Sequence, residues 1–157
     1  MGQAARGYAL SGLEQLEARL GGLLSKLEPA ARRGLAREIA KGILQSQRKR
    51  ISSQQNPDGS AYVKRKPQLR QKAGRIRRQM FSKLRTTRFL KSAVISGNAV
   101  VGFIGQVERI ARVHQLGLRD RVQKGGRETQ YPVRELLGFT EADVAAVQDL
   151  VIDHLAL

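Results

Sequence analysis

The sequence predicts an α+β fold: an N-terminal antiparallel helix pair, a small antiparallel β-sheet or hairpin, and further helices ending in a C-terminal amphipathic one. Three observations carry this. Leucines and other apolar residues recur at spacings of three and four from Leu10 to Ile51, the stretch 89–104 turns β-prone around Gly97-Asn98, and helical spacing returns after Val107 and again after Thr140. A length of 157 residues suits one domain, so residues 1–157 are read as a single unit with a basic segment at 54–88 whose charge density favours flexibility.

Each element has its own warrant. Leu13, Leu16, Leu20, Leu23, Leu24 and Leu27 form one stripe of a first helix, which Gly21-Gly22 weakens towards its end. Glu28-Pro29 suits a break and a new start, because the missing N–H of Pro is harmless in a first helical turn. A second helix then runs from Pro29 to Ile51, with Ala31, Leu35, Ile39, Ile43 and Leu44 inward. Asn56-Pro57-Asp58-Gly59 has the chemistry of a type I turn in a polar, exposed loop.

From Ala61 to Lys91 there are twelve basic residues and no acid. Leu69, Ile76, Met80 and Leu84 draw an apolar line through this block and predict a helix, or a loop and helix, over 67–84. Next, Phe89, Ala93 and Ile95 alternate with Lys91, Ser92 and Ser96, Gly97-Asn98 is the turn, and Ala99 to Ile104 is the return strand. A helix through Val107, Ile110, Ala111 and His114 is capped by Gly117. Arg119 to Glu128 reads as an exposed loop, and "TQYPVRELLG" as an extended segment ending in a turn. Thr140 and Asp143 make a capping box for the last helix, whose inward stripe is Val144, Val147, Leu150, Val151, His154 and Leu155.

Composition narrows the function. The absence of Cys excludes disulfides and thiolate metal sites, and an aromatic content of 4% without Trp makes a thin core that leans on partner subunits. No apolar run approaches the roughly 18 residues of a membrane span, and the start lacks a secretion signal, so we expect a soluble protein made in the cytoplasm. A net charge of +16 predicts attraction to polyanions. The sequence offers no catalytic constellation, cofactor fingerprint or metal motif: His114 reads as a structural histidine or helix-end cation, and His154 lacks any HExxH context. Glu135, Glu141, Asp143, Asp149 and Asp153 read mostly as solvent-facing.

The basic block is the candidate contact with a partner or with DNA, through Lys64, Arg65, Lys66, Arg70, Lys72, Arg75, Arg77 and Arg78. Against single-strand binding stands the shortage of aromatics for base stacking, with Tyr62, Phe81 and Phe89 alone at hand. A free-standing nucleic-acid-binding protein using residues 61–91 is the rival reading. An amphipathic helix on a membrane surface is disfavoured, because 67–84 has no aromatic-rich side.

Three stretches together resemble the tail-completion proteins of contractile-tailed bacteriophages, the phage virion morphogenesis family: "QQNPDGSAYVKRK", "IARVHQLGLRDRV" and "YPVRELLGFTEADVAAVQDLVIDHL". Their order and spacing agree from about Leu10 to Leu157. The resemblance implies a structural virion protein, made in the host cytoplasm, that completes the tail and helps form the head–tail joint, with no catalytic residues. It implies a ring, for which sixfold symmetry would suit a tail. The expected partners are copies of itself, the tail tube, the sheath and the head-side connector, and DNA passing through the lumen. It assigns a subunit-interface role to Asn56, Pro57, Asp58, Gly59, His114, Gln115, Arg134, Glu135 and Leu136, with Gly117 and Pro132 beside them as residues of backbone geometry. The dense basic run is not part of the family pattern.

Overall fold

Helix formers fill residues 29–52, and in the computed structural model they form α1, Pro29–Ser52; the structure describes Gly21 and residues 27–65, 79–121 and 125–155. The predicted first helix lies outside the described residues apart from Gly21 and Leu27. Pro29 opens α1, and Lys49 and Arg50 in its last turn suit the negative end of the helix dipole. Leu35, Ala36, Ala40, Ile43 and Ile51 are buried as the spacing requires, whereas Ala31, Ile39 and Leu44 are only half-buried. The same spacing carries Gln47 and Arg50 inside, at 1% and 6% exposure.

Gln54, in the left-handed region at φ 58°, turns the chain out of the helix. The Asn56–Gly59 turn closes with Gly59 N–H donating to Asn56 O at 3.0 Å, and a bridge between Gln55 and Ala61 ties its base.

The helix predicted over 67–84 is corrected where the structure describes it: Met80 to Phe89 form successive turns. Phe81 sits at φ 63°, a conformation no helix interior accepts, and the chain winds on through Leu84 N–H to Phe81 O and Leu90 N–H to Thr86 O.

The hairpin is present as β1, Leu90–Ile95, and β2, Asn98–Phe103. Its turn is Ser96-Gly97, one residue earlier than expected: a type I′ loop needs positive φ at both positions, and these two supply 52° and 82°. The alternation is also corrected. Leu90 is fully buried and Ser92 and Val94 are half-buried, while Ala93 and Ile95 are exposed.

A 3-10 turn, Gly105–Val107, leads into α2, Glu108–Leu116. Val107 of the turn and Ala111 and Val113 of the helix are buried, and Ile110, expected inward, is 46% exposed. Gly117 caps α2 at φ 62° and ψ 46°, and a Cβ there would stand 2.7 Å from Val133 Cγ2, so the position needs glycine twice over.

The loop expected at 119–128 holds two short strands at its ends, β3, Arg119–Arg121, and β4, Glu128–Gln130, paired antiparallel. Cross-strand polar pairs explain what apolar alternation could not show: Arg119 Nε donates to Gln130 Oε1, and Arg121 faces Glu128.

The last helix, α3, is Glu141–Leu155. Its capping box forms as predicted, with Thr140 N–H donating to Asp143 Oδ2 at 2.9 Å and Asp143 N–H to Thr140 Oγ1 at 3.1 Å. Asp143 is thereby buried and not solvent-facing.

Among the described residues, helices and two two-stranded sheets make the fold α+β. The chain divides into two compact units, each assembled from separated stretches. One comprises Met1–Ser46, Ser92–Gly102 and Phe139–Leu157; the other comprises Gln47–Lys91 and Phe103–Gly138.

Candidate partner interface

The second unit contains every described residue that the sequence marked for partner contact, and it is organised around Tyr131–Gly138. That segment lies outside any ladder, so its peptide groups must find other partners or pay for desolvation. Side chains supply most of them. Arg50 Nη1 donates to Glu135 O at 2.7 Å and to Gln55 O at 3.1 Å, and its Nη2 donates to Leu136 O at 2.9 Å and to Gln47 Oε1. Gln47 Nε2 donates to Gly138 O at 2.5 Å. Gln115 bonds both ways with Leu137, giving Nε2–H to the carbonyl at 2.8 Å and taking the N–H at 2.9 Å.

The Asn56 turn is part of the same arrangement. Asn56 Oδ1 accepts Glu135 N–H at 2.9 Å, and Gly138 passes so close to Pro57 that a Cβ would overlap the proline ring. Asp58 holds the tip through Ser60 N–H, at 2.9 Å, and the Ser60 hydroxyl. Those bonds keep its carboxyl below the usual carboxylate range.

Arg134 is 4% exposed and fastens a different stretch. Its Nε donates to Val63 O at 2.7 Å, its Nη2 reaches Lys64 O at 3.4 Å, and its Nη1 meets His114 Nδ1 at 3.0 Å. A guanidinium can only donate, so Nδ1 accepts and the imidazole is neutral. Burial lowers the His114 pKa to about 4, and the charges of Arg134 and Arg65 push the same way. Of the two readings of His114, the structural histidine fits and the helix-end cation does not: the ring is a neutral acceptor. Its ring packs edge-on between Phe81, at 4.8 Å between centroids, and Tyr131, at 4.9 Å, and Phe81 in turn packs on Tyr62. Burial raises the Tyr62 phenol to about 12, against the opposing pull of Arg50, and the hydroxyl donates to Glu135 O at 3.3 Å.

These contacts fix both flanks of the basic stretch. On the N-terminal side Arg134 holds the carbonyls of Val63 and Lys64. On the C-terminal side Gln54 bonds both ways with Met80, through Nε2–H to the carbonyl and Oε1 to the N–H, each at 2.9 Å. Lys64 and Arg65 are exposed; Lys66, Arg70, Lys72, Arg75, Arg77 and Arg78 lie outside the described residues.

The structure thus brings Asn56, Pro57, His114, Gln115, Arg134, Glu135 and Leu136 together, with Leu136 fully buried. Asp58 and Gly59 are exposed at the turn tip. Tyr62 and Phe81 belong to the core, at 4% and 8% exposure, and cannot stack on nucleotide bases, contrary to the expectation that they were at hand. Sequence reasoning missed Gln47, Arg50 and Gln54. The signal was available for the first two, which continue the inward spacing of Ala36, Ala40 and Ile43. Among the described residues no group of three His, Asp or Glu is placed to hold a metal ion, and no helix is long and apolar enough to cross a membrane.

No solved structure matches this chain. It is 42% identical over 144 residues to the tail completion protein S of Escherichia phage P2, an alignment covering 90% of this chain and 96% of that protein. The family model for phage virion morphogenesis matches residues 12–156, a span that takes in the Asn56 turn, the His114 helix end and the Arg134 segment alike. On these grounds the chain belongs to the phage virion morphogenesis family.

Proposed function

We propose that this protein is a structural, non-enzymatic virion component that completes the phage tail, as a ring at the end that meets the head, and so helps form the head–tail joint. The observation that carries the reading is the 42% identity to a tail completion protein along 96% of that protein's length. Such a protein is made in the host cytoplasm and ends in the virion. Its neighbours are copies of itself, tail tube or sheath subunits, and the head-side connector.

The second unit suits that role mechanically. A joint that holds against internal pressure needs a frame that does not deform, and a network of bonds from buried side chains to backbone carbonyls gives one. The frame offers the Asp58-Gly59 tip and the cationic Lys64 and Arg65 outward, while Arg134, His114, Gln115 and Leu136 keep it rigid from beneath. The described residues on either side of the basic stretch are held by this frame. The stretch is the candidate contact with acidic connector or tube surfaces, or with DNA in the lumen. Burial of Tyr62 and Phe81 weighs only against single-strand base stacking by the rival, a free-standing nucleic-acid-binding protein using residues 61–91.

The test is in vitro joining of purified heads to tails completed with variant protein. Neutralising Lys64 and Arg65, and separately Arg75, Arg77 and Arg78, with Gln should preserve the melting temperature and reduce joined particles. Joining at the wild-type level by both variants removes the charged contact from the proposal.

A further inference from the structure

The β1–β2 hairpin differs from the rest of the chain in charge. Residues 92–107 contain no Asp, Glu, Lys, Arg or His, in a protein that is 27% charged. The two-residue Ser96-Gly97 loop makes Ile95 and Asn98 the closing hydrogen-bonded pair. From that pairing, Ala93, Ile95, Asn98 and Val100 form the uncharged outer part of one face, with the exposed Lys91 at its base, while the N–H and C=O groups of Ala99 and Val101 point away from β1. All four residues of that outer part are exposed, Ile95 at 57% and Val100 at 38%. The β2 edge carries none of the Lys or Pro residues that usually blunt an open strand. At the start of β1, by contrast, the outward carbonyl of Leu90 is already held by Arg48 at 3.2 Å.

We propose that the exposed hairpin face and the outer edge of β2 seat a second copy of this chain. Charge selects the occupant. An acidic protein or DNA gains most at the basic surfaces and nothing from a neutral hairpin. Two copies that each carry +16 repel, and their contact costs least where neither brings a charge. Residues 92–107 are the longest such stretch in the sequence. Strand addition draws its affinity from main-chain hydrogen bonds, which two like-charged chains can share as readily as any others, and the apolar face adds burial. The inference rests on the ring reading above and deepens it by naming the contact surface.

Light scattering on the full-length protein tests it, over a range of concentrations at low and high salt. Three variants accompany the wild type. Ile95→Lys/Val100→Lys puts charge on the face. Ala99→Pro removes an outward N–H and spares the ladder to β1, as edge prolines do. Ile152→Lys, at a site 58% exposed on α3, is the control. The wild type should self-associate, more strongly in high salt as repulsion is screened. The control should match it. The double variant should dissociate at about thirtyfold higher concentration or beyond, the effect of an unpaired charge in an interface, and Ala99→Pro decides alone should the double variant fail to fold. Association of the hairpin variants equal to wild type overturns the inference and leaves the ring standing. A wild type that stays monomeric throughout overturns both.

Discussion

The two units share apolar burial and differ in the polar contacts that supplement it. In the first, the buried side chains of α1 and α3 are chiefly apolar, namely Leu35, Ala36, Ala40, Ile43 and Val151, and Asp143 is buried by its capping box. In the second, Gln47, Arg50, Gln54, Gln115 and Arg134 bond to backbone groups distant in sequence. Apolar burial tolerates small displacements, because it depends on area and not on direction. The polar frame does not, since each hydrogen bond has a narrow geometry and a donor moved out of place leaves a buried carbonyl bare. The second unit thus adds a directional frame to an apolar core of its own that includes Ile51, Tyr62, Phe81, Leu90 and Leu136.

The largest expected effect comes from removing a buried cationic donor that holds two distant carbonyls. Arg134→Met keeps much of the side-chain volume but abandons the carbonyls of Val63 and Lys64, and should cost about 3 kcal/mol in denaturant titration. Amide exchange should accelerate in the second unit, around Tyr62 and Leu118, and change little in α3. Uniform acceleration in both units would erase the distinction drawn here.

Val151→Ala is the matching change in the first unit. Val151 is 1% exposed, so the truncation should cost about 2 kcal/mol. Its exchange signature should be the converse, with α3 loosened and the Arg134 bonds intact.

The smallest effect sharpens the comparison through pH. His114 titrates at about 4 in the folded protein, below the ordinary histidine value of 6.5, because it is buried and faces Arg134 and Arg65. The unfolded chain therefore takes up its proton first as pH falls. Stability contributed by the neutral ring is complete above pH 6.5 and is lost between 6.5 and 4. With allowance for solvent screening, the loss at pH 5 should be about 1 kcal/mol. His114→Gln retains an acceptor for Arg134 and should flatten this slope. A slope as steep in the variant would assign the acid sensitivity to other groups.

The sequence made some of this legible and hid the rest. Pro29, Gly117 and the Thr140–Asp143 box were readable because local chemistry alone dictates helix ends. The hairpin was readable, although its turn fell one residue early, since Ser96 was not an obvious residue for positive φ. The end of the helix, or loop and helix, forecast over 67–84 failed on Phe81, whose left-handed backbone no residue pattern announces; residues 67–78 lie outside the described residues. The charged pairing of β3 with β4 escaped a search for apolar alternation. For the site, the quoted motifs assembled in one place, yet their organisers, Gln47 and Arg50, stand at inward positions of the helix with side chains whose polarity argues for solvent. Only partners 85 to 91 positions away make burying them affordable.

Most of the frame's bonds run from a side chain to a peptide carbonyl, and that asymmetry bears on how such a sequence can drift. A carbonyl is present whatever residue carries it, so Val63, Lys64, Leu90 and Leu137 are not tied by these bonds to any particular side chain, whereas Gln54, Gln115 and Arg134 are. Substitutions at the two ends of such a bond need not compensate one another. Divergent relatives should then keep the donors while the accepting positions change independently, and the architecture should outlast the loss of much recognisable sequence.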